Sequence, residues 1–150
     1  MVGGWLVAGE ALKFQAKPPD SEKITINLGY VDLGHIDLIV QEGFYSNRTD
    51  FIRTAIRNQL DRHADVTRKL IARRTLDLGL RAYGREELEA VRRAGETLEI
   101  KVLGLATIAR DVTPALARAT ISSITVLGAL HASPEVRAAL ADRMRSTGLG

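Results

Sequence analysis

The sequence predicts an α+β fold: one short strand and two helices, then a long helix, then a C-terminal half that alternates strands with helices. Three patterns predict it. Polar and apolar residues alternate with period two near residue 23, and apolar spacings of three and four follow from residue 32 to residue 74. A strand-like sequence then recurs three times after residue 75. We therefore divide the chain into an arm (1–20), a small domain (21–63), a helical connector (64–75) and a C-terminal domain (76–150).

The composition is that of a globular protein, with 45% hydrophobic and 26% charged residues. The absence of cysteine excludes disulfides, thiolate metal sites and a cysteine nucleophile. No apolar run reaches the roughly 18 residues of a membrane span, so we expect a soluble protein that is not exported. The net charge is +3 and most of the 21 basic residues are arginines, which bind phosphate bidentately. Nucleic acid is therefore the first partner to consider.

The first twenty residues show no helical or strand period, and they end in Lys17-Pro18-Pro19-Asp20, a stiff extended break. We expect a flexible N-terminal arm. Its Lys13 and Lys17 leave a minor-groove contact as the alternative to a plain disordered terminus.

The segment from Lys23 to Leu28 is predicted to be a single strand with one apolar and one polar face. The apolar face consists of Ile24, Ile26 and Leu28, and the polar face consists of Lys23, Thr25 and Asn27. No second strand follows within hairpin reach. Because a lone strand leaves its backbone groups unpaired, it needs a partner strand from elsewhere.

Two helices are predicted next, from their caps and apolar spacing. Asp32 is expected to cap the first helix and Gly43 to end it in a left-handed conformation. Asn47 is expected to cap the second helix, with Asp50 completing a variant of the capping box. Because no glycine or proline occurs between Arg53 and Arg74, we expect the second helix to continue as a stalk.

The strand, the helix ending in Glu42-Gly43-Phe44, and the run from Tyr45 to Ile56 together resemble the ribbon-helix-helix repressors of the Arc/MetJ and CopG type. The resemblance covers residues 21–63. It implies that two subunits pair their strands into an antiparallel ribbon that enters the major groove of DNA. Burial arguments agree, because forty residues with one strand bury too little for a stable monomer. The expected dimer core consists of Ile24, Ile26, Leu28, Ile36, Phe51, Ile52 and Ile56.

On such a ribbon, Lys23, Thr25 and Asn27 would read base edges, since lysine donates to guanine, asparagine pairs with adenine and threonine adapts. The resemblance also implies phosphate binding at the start of the second helix. There the free amides and the helix dipole would act together with Ser46, Asn47 and Arg48. The alternatives are a polar strand face that only meets solvent and an ordinary capped helix.

In the C-terminal half, the runs beginning at Leu76, Lys101 and Thr125 recur at spacings of 25 and 24 residues, each followed by a helical pattern. Thr113 and Ser133 are expected to cap two of these helices. This repeat pattern is typical of a leucine-rich-repeat-like β/α solenoid, and a compact α+β domain is the alternative. The apolar strands Leu98–Leu105 and Ile121–Leu130 are expected to be buried on both faces.

No catalytic or cofactor motif is found, and His35, His63 and His131 stand apart from any metal-ligand spacing. We therefore expect neither an enzyme nor a metal or cofactor site. The predicted function is a cytoplasmic, nucleoid-associated transcriptional regulator, a repressor, that binds double-stranded DNA as a homodimer. Its C-terminal domain would mediate higher assembly or bind a protein partner. An antitoxin whose C-terminal half binds a toxin, and a self-assembling scaffold, are the alternatives.

Overall fold

The computed structural model describes residues 21–145, which form two compact units. One unit comprises Glu22–Arg73 and the other begins at Arg74. The expected N-terminal arm, residues 1–20, lies outside the described residues, as do residues 146–150.

The first unit contains three helices: α1 (Tyr30–Gln41), α2 (Arg48–Arg62) and α3 (Ala64–Arg74). The expectation that Asp32 caps α1 is wrong. The N-cap is Gly29, whose extended backbone (φ −64°, ψ 153°) lets the helix begin two residues before Asp32. Asp32 instead lies in the first turn, where its carboxylate faces the positive end of the helix dipole.

The turn between α1 and α2 forms as the sequence predicts. Gly43 has a φ of +85°, and the amides of Gly43 and Phe44 donate to the carbonyls of Val40 and Ile39, which is the Schellman arrangement. A side chain at Gly43 would be strained in this left-handed conformation. The helix hairpin therefore depends on a glycine at this position.

The prediction that the second helix continues without a break is wrong at one position, because His63 separates α2 from α3. The His63 backbone (φ −98°, ψ 8°) leaves the helical range. Its carbonyl accepts hydrogen bonds from the Thr67 amide at 2.9 Å and from the Thr67 hydroxyl at 2.8 Å. Threonine hydroxyls that bond back to the preceding turn bend helices.

The second unit alternates strands and helices. Its elements are β1 (Asp77–Tyr83), α4 (Arg85–Arg93), β2 (Leu98–Ile108), α5 (Pro114–Thr120), β3 (Ile121–His131), α6 (Pro134–Ala139) and a 3₁₀ turn (Ala141–Arg143). The strands are parallel in the order β1-β2-β3. As predicted, Thr113 and Ser133 cap α5 and α6 by accepting from the Leu116 and Val136 amides at 3.2 Å.

The core of this unit lies between one face of the sheet and the helices. Ile100, Val102 and Ala106 of β2 are fully buried there, and they pack in one cluster with Leu88 of α4 and Val136 of α6. The expectation of strands buried on both faces is wrong. Sequential parallel strands joined by crossovers of one hand place every connecting helix on the same side, so none of these connecting helices covers the other face.

The recurring glycines lie side by side across the sheet, Gly79 opposite Gly104 and Gly104 opposite Gly128. All three have positive φ, between +115° and +138°. A Cβ on Gly104 would collide with the carbonyl oxygen of Gly79, and a Cβ on Gly128 with that of Gly104. At this row the backbones of neighbouring strands lie so close together that a side chain at Gly104 or Gly128 would not fit.

We predict that Gly104→Ala destabilises the chain more than Gly79→Ala. Both substitutions place alanine at a strained positive φ, which costs about 1–3 kcal/mol. Only the Gly104 change also drives a Cβ into a backbone carbonyl, because the same space at Gly79 is open. Chemical denaturation of the two variants measures the difference. Equal free energies of unfolding would contradict the close approach of the glycine row.

Candidate nucleic-acid interface

The segment before α1 is exposed along its whole length. All residues from Glu22 to Gly29 are exposed, and none pairs in a strand in the single chain. Ile24 is 72% and Ile26 56% exposed although both are apolar. The three predicted base readers, Lys23, Thr25 and Asn27, are equally open to solvent. Both the polar and the apolar side chains of the segment are thus exposed to solvent, Leu28 least among its apolar residues at 37%.

The unit Glu22–Arg73 buries very little apolar surface by itself. Residues 22–73 are all described, and Ile36 of α1, at 7% exposure, is the one buried side chain among them. Of the other predicted core residues, Phe51 and Ile52 are half-buried and Ile56 is 46% exposed. Since small domains depend on efficient burial, this unit lacks the core that an independent monomer needs.

The N-terminus of α2 is capped by two reciprocal hydrogen bonds. Asn47 caps the helix as predicted, because its side-chain oxygen accepts from the Asp50 amide at 2.8 Å. The Asp50 carboxylate reaches back to the Ser46 amide at 3.0 Å, one residue before the position expected for a capping box. Two of the three predicted phosphate-binding residues, Ser46 and Asn47, therefore also serve the cap.

Arg48, the third predicted phosphate-binding residue, is held by an acidic partner on α1. Its Nε donates to Asp37 Oδ1 at 2.7 Å, and its Nη2 donates to Asp37 Oδ2 at 2.8 Å. The Arg48 and Asp37 side chains remain 54% and 43% exposed. A guanidinium has five N–H groups, so this fork leaves further donors free to face solvent or an anion.

The fork shifts the pKa of both partners. The hydrogen bonds from Arg48 hold the pKa of the Asp37 carboxyl below its ordinary value of 3.8. In return, hydrogen bonding to Asp37 raises the pKa of Arg48 above its ordinary value. The pair is therefore ionised throughout the neutral range.

Sequence reasoning missed the Asp37–Arg48 fork. The two residues are eleven positions apart, so no helical spacing links them, and their contact depends on how α1 folds back on α2. An edge-to-face contact between Tyr45 and Phe51, with ring centroids 5.0 Å apart, packs the same turn. The available signal was the turn itself, which brings the end of α1 near the start of α2.

Two further features bear on the kind of site. Among residues 21–145, no three histidine, aspartate or glutamate side chains cluster as a metal site would require. Within the same range, every helix is too short or too polar to span a bilayer.

A sequence model of the Ribbon-Helix-Helix transcriptional regulator family matches residues 19–137. The chain belongs to this family. No curated protein and no solved structure matches the chain. The ribbon-helix-helix match extends well beyond the 21–63 range of the sequence resemblance and includes the three parallel strands. The strand-helix half is therefore part of what this family shares.

We predict that Asp37→Asn lowers the melting temperature of the protein and removes part of its acid sensitivity. Because the folded-state pKa of Asp37 is depressed, its stabilisation is fully present above pH ~3.8 and is lost as the pH falls through the lowered pKa. Melting curves at pH 7 and pH 3 measure both effects.

The control for this prediction is Asp65→Asn. Asp65 also contacts an arginine, Arg68 at 3.2 Å, but both side chains are more than three-quarters exposed. Such pairs contribute little to stability. If both variants melt alike at pH 7, the fork does not stabilise the helix hairpin.

Proposed function

We propose that this ribbon-helix-helix protein is a sequence-specific DNA-binding transcriptional regulator, acting as a repressor in the cytoplasm, at the nucleoid. The exposed segment Lys23–Leu28 carries the proposal, since it pairs with no strand of residues 21–145 and its apolar side chains are exposed. Pairing with the same segment of a second chain would complete the backbone ladder and cover Ile24 and Ile26. The dimer and the DNA-reading ribbon would then form in one event.

The polar side chains of the segment supply the reading chemistry. On a paired ribbon, Lys23, Thr25 and Asn27 would share the face opposite the dimer core, because side chains alternate along a strand. Lysine suits guanine O6 or N7, and asparagine suits adenine. Two copies would present six side chains to the major groove, which admits a two-stranded ribbon.

Phosphate contacts would fix the position of the ribbon on the duplex. We assign them to the start of α2, with Ser46, Asn47 and Arg48. Because Asp37 occupies two donors of Arg48, the phosphate would take the remaining N–H groups of the guanidinium. The Asp50 carboxylate partly offsets the positive helix terminus, so we expect Arg48 to provide the main attraction there.

The folded C-terminal unit argues for a regulator over an antitoxin. Toxin-binding segments of antitoxins are commonly disordered until they bind, whereas thirteen residues of the described part of this unit form a buried core. We assign it a role in assembly or partner binding. Repression would then follow from occupancy of an operator, strengthened if neighbouring dimers associate.

We predict that changing Lys23, Thr25 and Asn27 together to alanine abolishes preference for the operator without dissociating the dimer. Each well-formed base contact contributes about 1–3 kcal/mol of discrimination. Binding selection from genomic fragments first identifies the operator, and fluorescence anisotropy then compares operator with random DNA. A control triple variant on α4 should keep the preference; its exposed positions are Glu86, Glu87 and Arg92.

Salt dependence separates this function from a scaffold that does not bind DNA. Affinity for random DNA should fall steeply with salt, with a log–log slope of about −0.9 for each phosphate contacted. A wild-type protein without salt-sensitive DNA binding would overturn the proposed function. Retained operator preference in the triple variant would overturn only the assignment of the reading face.

We predict that Ile26→Asp prevents dimerisation, whereas Thr25→Asp does not. Both changes add one negative charge to the same exposed segment. Ile26 is 56% exposed in the single chain, so aspartate there is costly only if a second chain covers it. Burying an unpaired charge then costs several kcal/mol. Sedimentation of both variants tests this, and an Ile26→Asp protein that still dimerises like the wild type would contradict the paired ribbon.

A further inference from the structure

One face of the C-terminal sheet is apolar and carries no helix from residues 21–145. Strand register sets its side chains in two rows that run across all three strands. We call it the leucine face; its residues are Leu78, Leu103 and Leu127 in one row, and Leu80, Leu105 and Ala129 in the other. None of them belongs to the core cluster or packs against it. The face therefore does not contribute to the core of its own unit.

The exposure of this face is large for a folded protein. Leu78 and Leu80 are each 71% exposed, and Leu103, Leu105 and Leu127 are only half-buried. Scattered exposed leucines are ordinary, but adjoining ones on three neighbouring strands form a continuous apolar patch. Such patches mark surfaces that bind another protein or another copy.

The charges around the leucine face permit contact with an identical face. The six residues of the face carry no charge. Toward its N-terminal end on β2, Lys101 and Glu99 form an ion pair at 3.2 Å that neutralises both. Two identical faces can therefore meet without like charges opposing each other.

The shape of the surface and the family's assembly also favour a second copy. Two sheet faces pack on each other about 10 Å apart with their side chains between them, so an apolar sheet face suits a second sheet face. Ribbon-helix-helix proteins bind DNA as dimers in general, so each assembly contains two such faces. In each chain α3 ends at Arg74 and β1 begins at Asp77, so a short link tethers the face to the dimerising unit. Tethering raises the effective concentration of one face near the other.

We propose that the leucine face packs on the leucine face of a second copy of this chain, so that two sheets form a two-layer interface. A twofold arrangement satisfies both copies with the same residues. This interface is additional to the proposed ribbon, and it can act within one dimer or between dimers. In either case it strengthens self-association, and its detection requires no DNA.

The test compares full-length wild-type protein with Leu80→Asp and Leu103→Asp by sedimentation over a range of concentrations. We expect each change to raise the dissociation constant of self-association at least tenfold, or to reduce the mass of the assembly. Because Leu80 is largely exposed in the single chain, its substitution leaves the subunit folded and keeps the test valid even if Leu103→Asp unfolds. Ala115→Asp, on the exposed side of α5, is the charge-matched control. Unchanged association of Leu80→Asp overturns the proposal.

Single introduced cysteines show which surfaces of two copies lie against each other, because the chain contains no cysteine of its own. Leu103 lies on the central strand, so a bifunctional thiol reagent that spans about 10 Å should link Leu103→Cys chains into dimers if the faces pack on each other. Leu80 lies on the edge strand β1. Cross-linking through Leu80→Cys without cross-linking through Leu103→Cys indicates pairing along the β1 edge and overturns the face-to-face interface. Ala115→Cys should not cross-link under the same conditions.

Discussion

The first unit depends on a backbone constraint: a strand-like segment cannot leave its N–H and C=O groups and its apolar side chains without partners in a folded protein. Residues 22–29 pair with no strand in the described part of the chain, and Ile36 is the one buried side chain of Glu22–Arg73. In the proposed dimer, a second chain would resolve both deficits at once. Folding of this unit and dimerisation would then be one event, rather than an association of two finished domains.

The second unit is built on a different principle. Its strands follow one another in sequence order, each crossover adds a helix to the same side, and a cluster of thirteen buried residues holds the helices to the sheet. The glycine row lets the strands approach closely, and the chain folds back near its C-terminal end, where Met144 bridges to Ile124 in parallel. The same topology places none of the connecting helices over the leucine face. The buried core and the apolar face proposed for association thus have one origin.

Local signals in the sequence were sufficient for much of this fold. Gly43, Asn47, Thr113 and Ser133 have the predicted capping roles because a cap depends only on residues a few positions away. The spacing of the recurring glycines likewise corresponds to their alignment across the sheet, since parallel β/α units repeat their length.

Features that depend on tertiary geometry were not predictable in the same way. The Asp37–Arg48 fork requires the packing of α1 on α2, and the open leucine face follows from the handedness of the crossovers, which apolar composition does not encode. Asp32 shows a further limit. Several residues near a helix start are compatible with a cap, and in the structure the N-cap is Gly29. The base-reading assignment of Lys23, Thr25 and Asn27 rests on alternation and family, because one chain alone does not form the ribbon.

The Asp37–Arg48 fork affects how the first unit would meet DNA. An acidic partner reduces the positive potential of Arg48, which weakens long-range attraction to phosphate. The same partner fixes the guanidinium at the start of α2, so less side-chain entropy is lost when the remaining N–H groups bind an anion. For a contact whose purpose is to set the register of a ribbon in the groove, orientation matters more than attraction. With the proposed phosphate role of Arg48, the fork would therefore favour accurate placement of the ribbon over non-specific affinity for DNA.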